Sequence, residues 1–458
     1  MFSRETYLKR RKKLIASCAN KGIILLTGNS NSPINYKANV YQFRQDSNFL
    51  YFTGIDLPGL NATIDTSTGN TILYGDNIST DELIWTGEQI SIQEWAFNSG
   101  IDEVKPAGQL IKDLAGEQQI LYTPPYRDEK KIFLSRILER DISDIDKGFS
   151  SELVEAIVSQ RSIKSSEEIV QIENAINNTT LEFQVGAMKM AMPGEYECRI
   201  AAYIEETILR KKSRPAYRTI CTVRGEILHN TSYEGKLEKG KLLLVDAGAE
   251  STRHYASDIT RTTPVGGRFS NKQREVYEIV LKAQLEAIKG IRIGTEFKKI
   301  HLVAAKVITS GLISLGIMRG DEDEIVSKGA YALFFPHGLG HMLGLDVHDM
   351  EDLGEDYVGY DQNTKRDKTF GISNLRLGRK LQSGFVLTVE PGIYFIPSLI
   401  EKWKQENKFA QYIDYQVVEG YSELGGIRIE DNIHLTDNGP EIIGDPIPKS
   451  INEIEALF

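Results

Sequence analysis

The chain has 458 residues, of which 41% are hydrophobic and 26% charged, and its formal net charge is −10. That is ordinary globular composition, with length enough for two or three domains. No basic stripe interrupts the acidic balance, which argues against nucleic acid and anionic membrane as partners. No run approaches the ~20 apolar residues of a spanning helix, and residues 1–22 lack the apolar stretch of a signal peptide. The three cysteines, Cys18, Cys198 and Cys221, are odd in number and widely spaced. They read as reduced thiols packed in the core of a cytoplasmic protein.

Arg4–Ala19 reads as a basic amphipathic helix and Ile23–Leu26 as a short apolar strand. Asn48–Gly54 (NFLYFTG) reads as an aromatic strand. Ala62–Asp65 and Thr71–Tyr74 flank a turn sequence and predict a hairpin. Asp81–Gln93 and Glu129–Glu139 read as helices, with a strand at Gln119–Tyr122 between them. This alternating material makes residues 1–150 a first α/β domain.

Ser151–Arg161 reads as a connecting helix. Ser165 and Glu168 fit a capping box that opens a long helix, Glu167–Met190, stopped by Pro193-Gly194. Helices follow at Glu195–Lys212, Gln273–Lys289 and Phe297–Leu312. Strand-like sequence follows each pair: Leu242–Val245 and Tyr255–Thr260, then Phe385–Glu390 and Gly426–Ile433. Two helix pairs with two sets of strands suggest a duplicated half-domain within one catalytic unit, 151–458. The polar stretch Asp349–Ser383 reads as a surface loop.

Three of the seven histidines, His337, His341 and His348, fall in one stretch, FPHGLGHMLGLDVHD. A zinc-protease helix would need Glu directly after the first His. Here Gly338 follows it and Gly340 interrupts again, so the stretch reads as a loop feeding histidines into a cleft. Four acids, Asp246, Asp258, Glu390 and Glu430, stand on or at the ends of apolar strands. A single acid there is usually a cap or turn residue, but an unpaired buried charge is costly, and four in one domain ask for a cation. Alternation along Ile427–Glu430 puts Arg428 and Glu430 on one face. With His341 the set is two Asp, two Glu and one His. Oxygen-rich ligands with one imidazole suit manganese, and also cobalt or zinc. Four carboxylates balance two divalent ions that can share a water.

DAGAE…YASDITRT, HGLGHMLGLDVHD, LTVEPGIYF and GGIRIEDN resemble the signatures of the proline-specific pita-bread metallopeptidases, prolidase and aminopeptidase P. The likeness spans most of residues 160–445, and FRQDSNFLYFTGIDLPG resembles the non-catalytic domain that precedes the peptidase domain in both. The resemblance implies a creatinase/aminopeptidase-P-like α/β domain before a pita-bread (duplicated α+β) domain. It also implies a homodimer and hydrolysis of the bond between an N-terminal residue and proline in di- or oligopeptides. It implies two divalent ions on Asp246, Asp258, His341, Glu390 and Glu430, with Asp258 and Glu430 bridging. Glu390 would shuttle the proton and His348 would stabilise the oxyanion. His337 would line the substrate site, His229 would face the residue before proline or the proline pocket, and Arg428 would act beside Glu430.

Two departures stand out. The aspartates are twelve apart (258 − 246), one more than the family spacing, which places a bulged turn at Ser251–His254. The region before His229 looks shortened. Between the two families, Arg376 in NLRLGRKLQSG and the long stretch from Glu390 to Glu430 favour prolidase. A guanidinium fork suits the free carboxylate of a dipeptide. Aminopeptidase P is the alternative. A metal-free, partner-binding pita-bread homologue would be expected to lack the ligands.

Overall fold

A computed structural model describes residues 1–18, 21–116 and 119–458, so the expected helix end at Ala19 lies outside the described residues. The chain forms two compact units, residues 1–161 with 351–357, and residues 162–350 with 358–458. No described helix is long and apolar enough to cross a membrane.

The first unit is built on a five-stranded mixed sheet. Its strand order is Glu103–Lys105, Thr71–Tyr74, Asn61–Asp65, Ile23–Thr27, Ile120–Leu121. The expected hairpin is present, with Ala62 opposite Leu73 and Ile64 opposite Thr71. Arg4–Ser17 is helical behind a Ser3 cap. Asn48–Gly54 is not a strand. Ser47–Thr53 is a helix whose aromatic residues Phe49, Tyr51 and Phe52 are all buried. The Asp46 carboxylate accepts the Asn48 and Phe49 amides at 3.0 and 2.9 Å, and Gly54 closes the helix at φ 70°. Cap and stop outweigh the strand preference of aromatic residues. Asp81–Gln93 holds two short helices instead of one, Thr80–Thr86 and Ile92–Ser99.

The second unit repeats one plan twice. The Ser165–Glu168 capping box starts a helix at Ser166. The continuous helix expected to Met190 is interrupted by a π segment, Ile176–Thr180, before Leu181–Lys189. There the Thr180 hydroxyl reaches the Ala175 carbonyl at 3.1 Å and the Ser257 hydroxyl at 2.7 Å. Helix Glu197–Arg210 completes the first pair, and an antiparallel sheet of Ile220–Thr222, Leu242–Ala247 and Ile259–Pro264 follows. Helices Asn271–Gly290 and Phe297–Ser314 open the second half. The first of these buries Val276, Tyr277, Val280, Ala283 and Ala287, a stripe at helical spacing. Its sheet is Val386–Val389, Asp431–Thr436 and Gly439–Ile442.

Two predicted strands shift in ways that matter for the site. Tyr255–Asp258 is irregular, and its strand begins only at Ile259. Gly426–Ile433 is two strands. Gly426–Arg428 pairs with Gly392–Tyr394, and Asp431–Thr436 pairs with Val386–Val389, leaving Glu430 where the chain passes between sheets. The Asp349–Ser383 stretch is not a plain surface loop, since Leu353, Val358, Tyr360, Leu375, Leu377 and Leu381 are buried. Cys18 and Cys221 are buried as expected, but Cys198 is exposed.

Candidate active site

Asp246 lies on the wholly buried Leu242–Ala247 strand, directly opposite Thr260. Between the two aspartates the chain makes the expected turn. Ser251 N–H meets the Tyr255 carbonyl at 2.8 Å, and His254 takes a positive φ of 68°. The loop re-enters under Gly248, where any side chain would run into the Ser257 carbonyl. Asn432 then grips Asp258 through its backbone, accepting the Asp258 N–H at 3.0 Å and donating to its carbonyl at 2.5 Å.

The carboxylates converge. The Tyr217 hydroxyl stands 2.5 Å from Oδ1 of both Asp246 and Asp258. Arg428 Nη2 donates to Asp246 Oδ2 at 2.5 Å. Thr260 Oγ1 donates to Glu430 Oε2 at 2.7 Å, whereas Glu430 Oε1 is buried with no hydrogen-bond partner. His341 Nδ1 faces the Met342 carbonyl at 3.0 Å, which puts its proton there and turns the Nε2 lone pair inward. That nitrogen is 3.4 Å from Asp258 Oδ2 and 3.6 Å from Glu390 Oε1. One ligand atom each from Asp258, His341 and Glu430 lies within 4.8 Å of the others.

Crowding raises the acids. Burial, and then the Asp246 charge, push Asp258 up to about 7. Burial lifts Glu390 to about 7 against the pull of His341 and Arg428. Glu430 goes well above the usual carboxylate range through burial and the charges of Asp258 and Glu390. Tyr217 is raised by burial beside Asp246 and Asp258. One arginine does not neutralise this many acids. An orphaned oxygen, oxygen-rich donors and a single inward imidazole fit divalent cations.

The remaining expected residues gather round this cluster. His337 Nδ1–H donates to the Gly338 carbonyl at 2.8 Å, and Nε2 accepts from the Tyr394 hydroxyl at 2.9 Å. Burial, with Arg428 nearby, holds that imidazole down at about 3. Tyr394 in turn accepts from Arg428 Nη1 at 2.8 Å. The His348 ring stands edge-on to His341, centroids 4.3 Å apart. His229 is solvent-exposed, yet the surrounding protein desolvates it enough, with Arg428, to lower its pKa. Asp246, Arg376 and His348 also act on it electrostatically.

Sequence reasoning did not single out Tyr217, Glu197, Thr260, Tyr394 or Asn432. The last three sit inside the quoted motifs. Tyr217 follows Pro215 in a segment without periodicity. Glu197 reads as an ordinary first-turn acid, yet it accepts the Val223 and Gly235 amides at 2.7 Å each and so closes the segment that carries His229.

Residues 172–437 match the profile of metallopeptidase family M24. The chain belongs to that family. Residues 7–122 match the aminopeptidase P N-terminal domain, so this M24 metallopeptidase has that domain followed by a pita-bread peptidase domain. A probable Xaa-Pro aminopeptidase of Fusarium vanettenii is 36% identical over 424 residues, covering 91% of this chain and 87% of the relative. One from Aspergillus niger is 33% identical, covering 97% and 94%. Among solved structures, Escherichia coli aminopeptidase P with the inhibitor Pro-Leu superposes with a TM-score of 0.82 at 29% identity, over 100% of this chain and 98% of that one. Pseudomonas aeruginosa aminopeptidase PepP gives 0.82 at 28% identity, with the same coverage.

Proposed function

We propose that this M24 metallopeptidase is an Xaa-Pro aminopeptidase that releases the residue preceding proline from the N-terminus of peptides longer than two residues. The observation that carries the hydrolytic reading is the buried meeting of Asp258, His341 and Glu430. The choice of aminopeptidase over prolidase follows the relatives, which carry the name Xaa-Pro aminopeptidase. The sequence preference for prolidase gives way on a physical ground as well. The long stretch between Glu390 and Glu430 carries two helices of its own, Pro397–Gln405 and Tyr415–Glu419, which bury Ile400, Trp403 and Val418. Its length therefore says little about the carboxylate end of a substrate.

In this reading Asp246, Asp258, His341, Glu390 and Glu430 would hold two divalent ions, manganese being the best match to the donor set and cobalt or zinc the others. When bound, such ions make water nucleophilic at neutral pH and polarise the scissile carbonyl. Tyr217 and Thr260 fix the angles at which the acids are presented. The bond to proline is a tertiary amide with no N–H for an enzyme to grip, and its leaving nitrogen, like that of any amide, needs a proton. Glu390 takes one from the attacking water and passes it on. His348 donates to the oxyanion. Both nitrogens of His337 are engaged by protein, so it shapes the wall of the site as a neutral ring. His229, Arg376 and Arg428 bound the pocket for the substrate.

The test is release of alanine from Ala-Pro-Ala and from Ala-Pro, each with manganese, cobalt and zinc. The tripeptide is expected to be much the better substrate, and a strong preference for Ala-Pro would reinstate prolidase. Residues 1–150 are proposed as the non-catalytic domain and 151–458 as the catalytic one. A homodimer is the proposed assembly, to be checked by light scattering, and a cytoplasmic location is to be checked by fractionation.

A further inference from the structure

The turn that separates His341 from His348 is closed from within. Asp349 N–H donates to the Met342 carbonyl at 2.9 Å, and Gly344 N–H donates to Asp346 at 3.1 Å. Asp346 N–H lies 3.4 Å from Asp349 Oδ1. It is fastened from outside by bonds that include Leu343 N–H to the Val386 carbonyl at 3.0 Å and Ala256 N–H to the Gly344 carbonyl at 2.8 Å. The other carboxylate oxygen of Asp349 meets Lys164 Nζ at 2.9 Å, and both side chains are only 1% exposed. Lys164 precedes the Ser165 cap, and its own N–H is held by the Gly384 carbonyl at 2.8 Å.

A buried ion pair contributes little net stability, because desolvation cancels most of the attraction, and an apolar pair often serves as well. What it does supply is direction. Asp349 is the residue after His348, so pinning its carboxylate fixes the backbone from which the His348 ring projects onto His341. We propose that Lys164 and Asp349 are positioning residues for His348. The inference rests on the reading above in that it takes His348 to act on the substrate.

The discriminating variant is Lys164→Met with Asp349→Leu, which removes both charges and keeps volume. In the full-length, manganese-loaded enzyme it is expected to fold with a Tm near wild type. It should lose about 10²-fold in kcat on Ala-Pro-Ala, the cost of ~1 Å of misplacement, with KM little changed. In a His348→Ala background the same pair of changes should cost no further kcat. In the metal-free protein the His348 ring resonance, assigned by its loss in His348→Ala, should shift. If the double variant does not fold, Asp349→Asn takes its place under the same criteria. A folded variant with wild-type kcat, or an equal loss in the His348→Ala background, overturns the proposal. If wild type fails to cleave Ala-Pro-Ala the functional reading falls by itself. The resonance then decides, and an unmoved His348 signal refutes the positioning role.

Discussion

Tyr217 places one phenolic oxygen 2.5 Å from Asp246 and 2.5 Å from Asp258. A phenol has a single hydrogen to give, so it braces two acids with one proton. Tyr217→Phe removes the brace and leaves the ring. Orienting partners of this kind typically contribute 10–100-fold to metal affinity, and a loss of about that size is expected in chelator competition against manganese. Unchanged affinity would show that the two aspartates are held by their strands alone.

Without metal, the chain is expected to lose stability as pH rises from about 4 to 7. Asp258 and Glu390 titrate near 7 in the folded protein, well above their ordinary values. Between the unfolded and folded pKa values the native state therefore binds more protons, and the stability slope with pH is negative. The stability present below the unfolded pKa is gone above about 7. Thermal scans of the apo form should fall across this window, and the gap between loaded and apo Tm should widen with pH. A flat gap would mean these acids are not protonated in the apo form.

Glu197→Ala should loosen the segment from Val223 to Gly235 by freeing both amides that its carboxylate accepts. Bonds to a charged acceptor are each worth about 1.5–3 kcal/mol. KM for Ala-Pro-Ala should rise by about tenfold or more with a smaller change in kcat, because the segment carries His229. Trypsin cleavage after Arg224 should accelerate in parallel. Faster cleavage with an unaltered KM would remove His229 from the substrate pocket.

Arg376→Ala separates the two proline peptidases. For an aminopeptidase, kcat/KM for Ala-Pro-Ala and for Ala-Pro should move together, leaving their ratio unchanged. A KM rise confined to Ala-Pro would mean that this arginine holds a dipeptide's carboxylate.

Much of the catalytic half was legible because its chemistry interrupts its pattern. Acids at the ends of apolar strands and three histidines among glycines stand out against their surroundings, and the structure brings all of them into one neighbourhood. Asn48–Gly54 has the aromatic content of a strand, but the flanking Asp46 and Gly54, which cap and stop a helix, decide its conformation. The π segment at Ile176–Thr180 left no periodic trace, since its apolar residues still fit a helical stripe. The break at Glu430 was hidden by unbroken alternation on both sides. Tyr217 and Glu197 act through contacts 29 or more residues away in one case and 26 and 38 in the other, and no local window reveals such a partner.

Glu430 is oriented by Thr260, 170 residues earlier in the chain. During synthesis the acids of the first sheet therefore emerge long before their last companion. A nascent or truncated polypeptide ending ahead of that point has only a fraction of the cluster. With the proposed ligand set, metal uptake belongs to the finished fold, and C-terminal deletions should yield fragments unable to retain the ions, whatever else they keep of their shape.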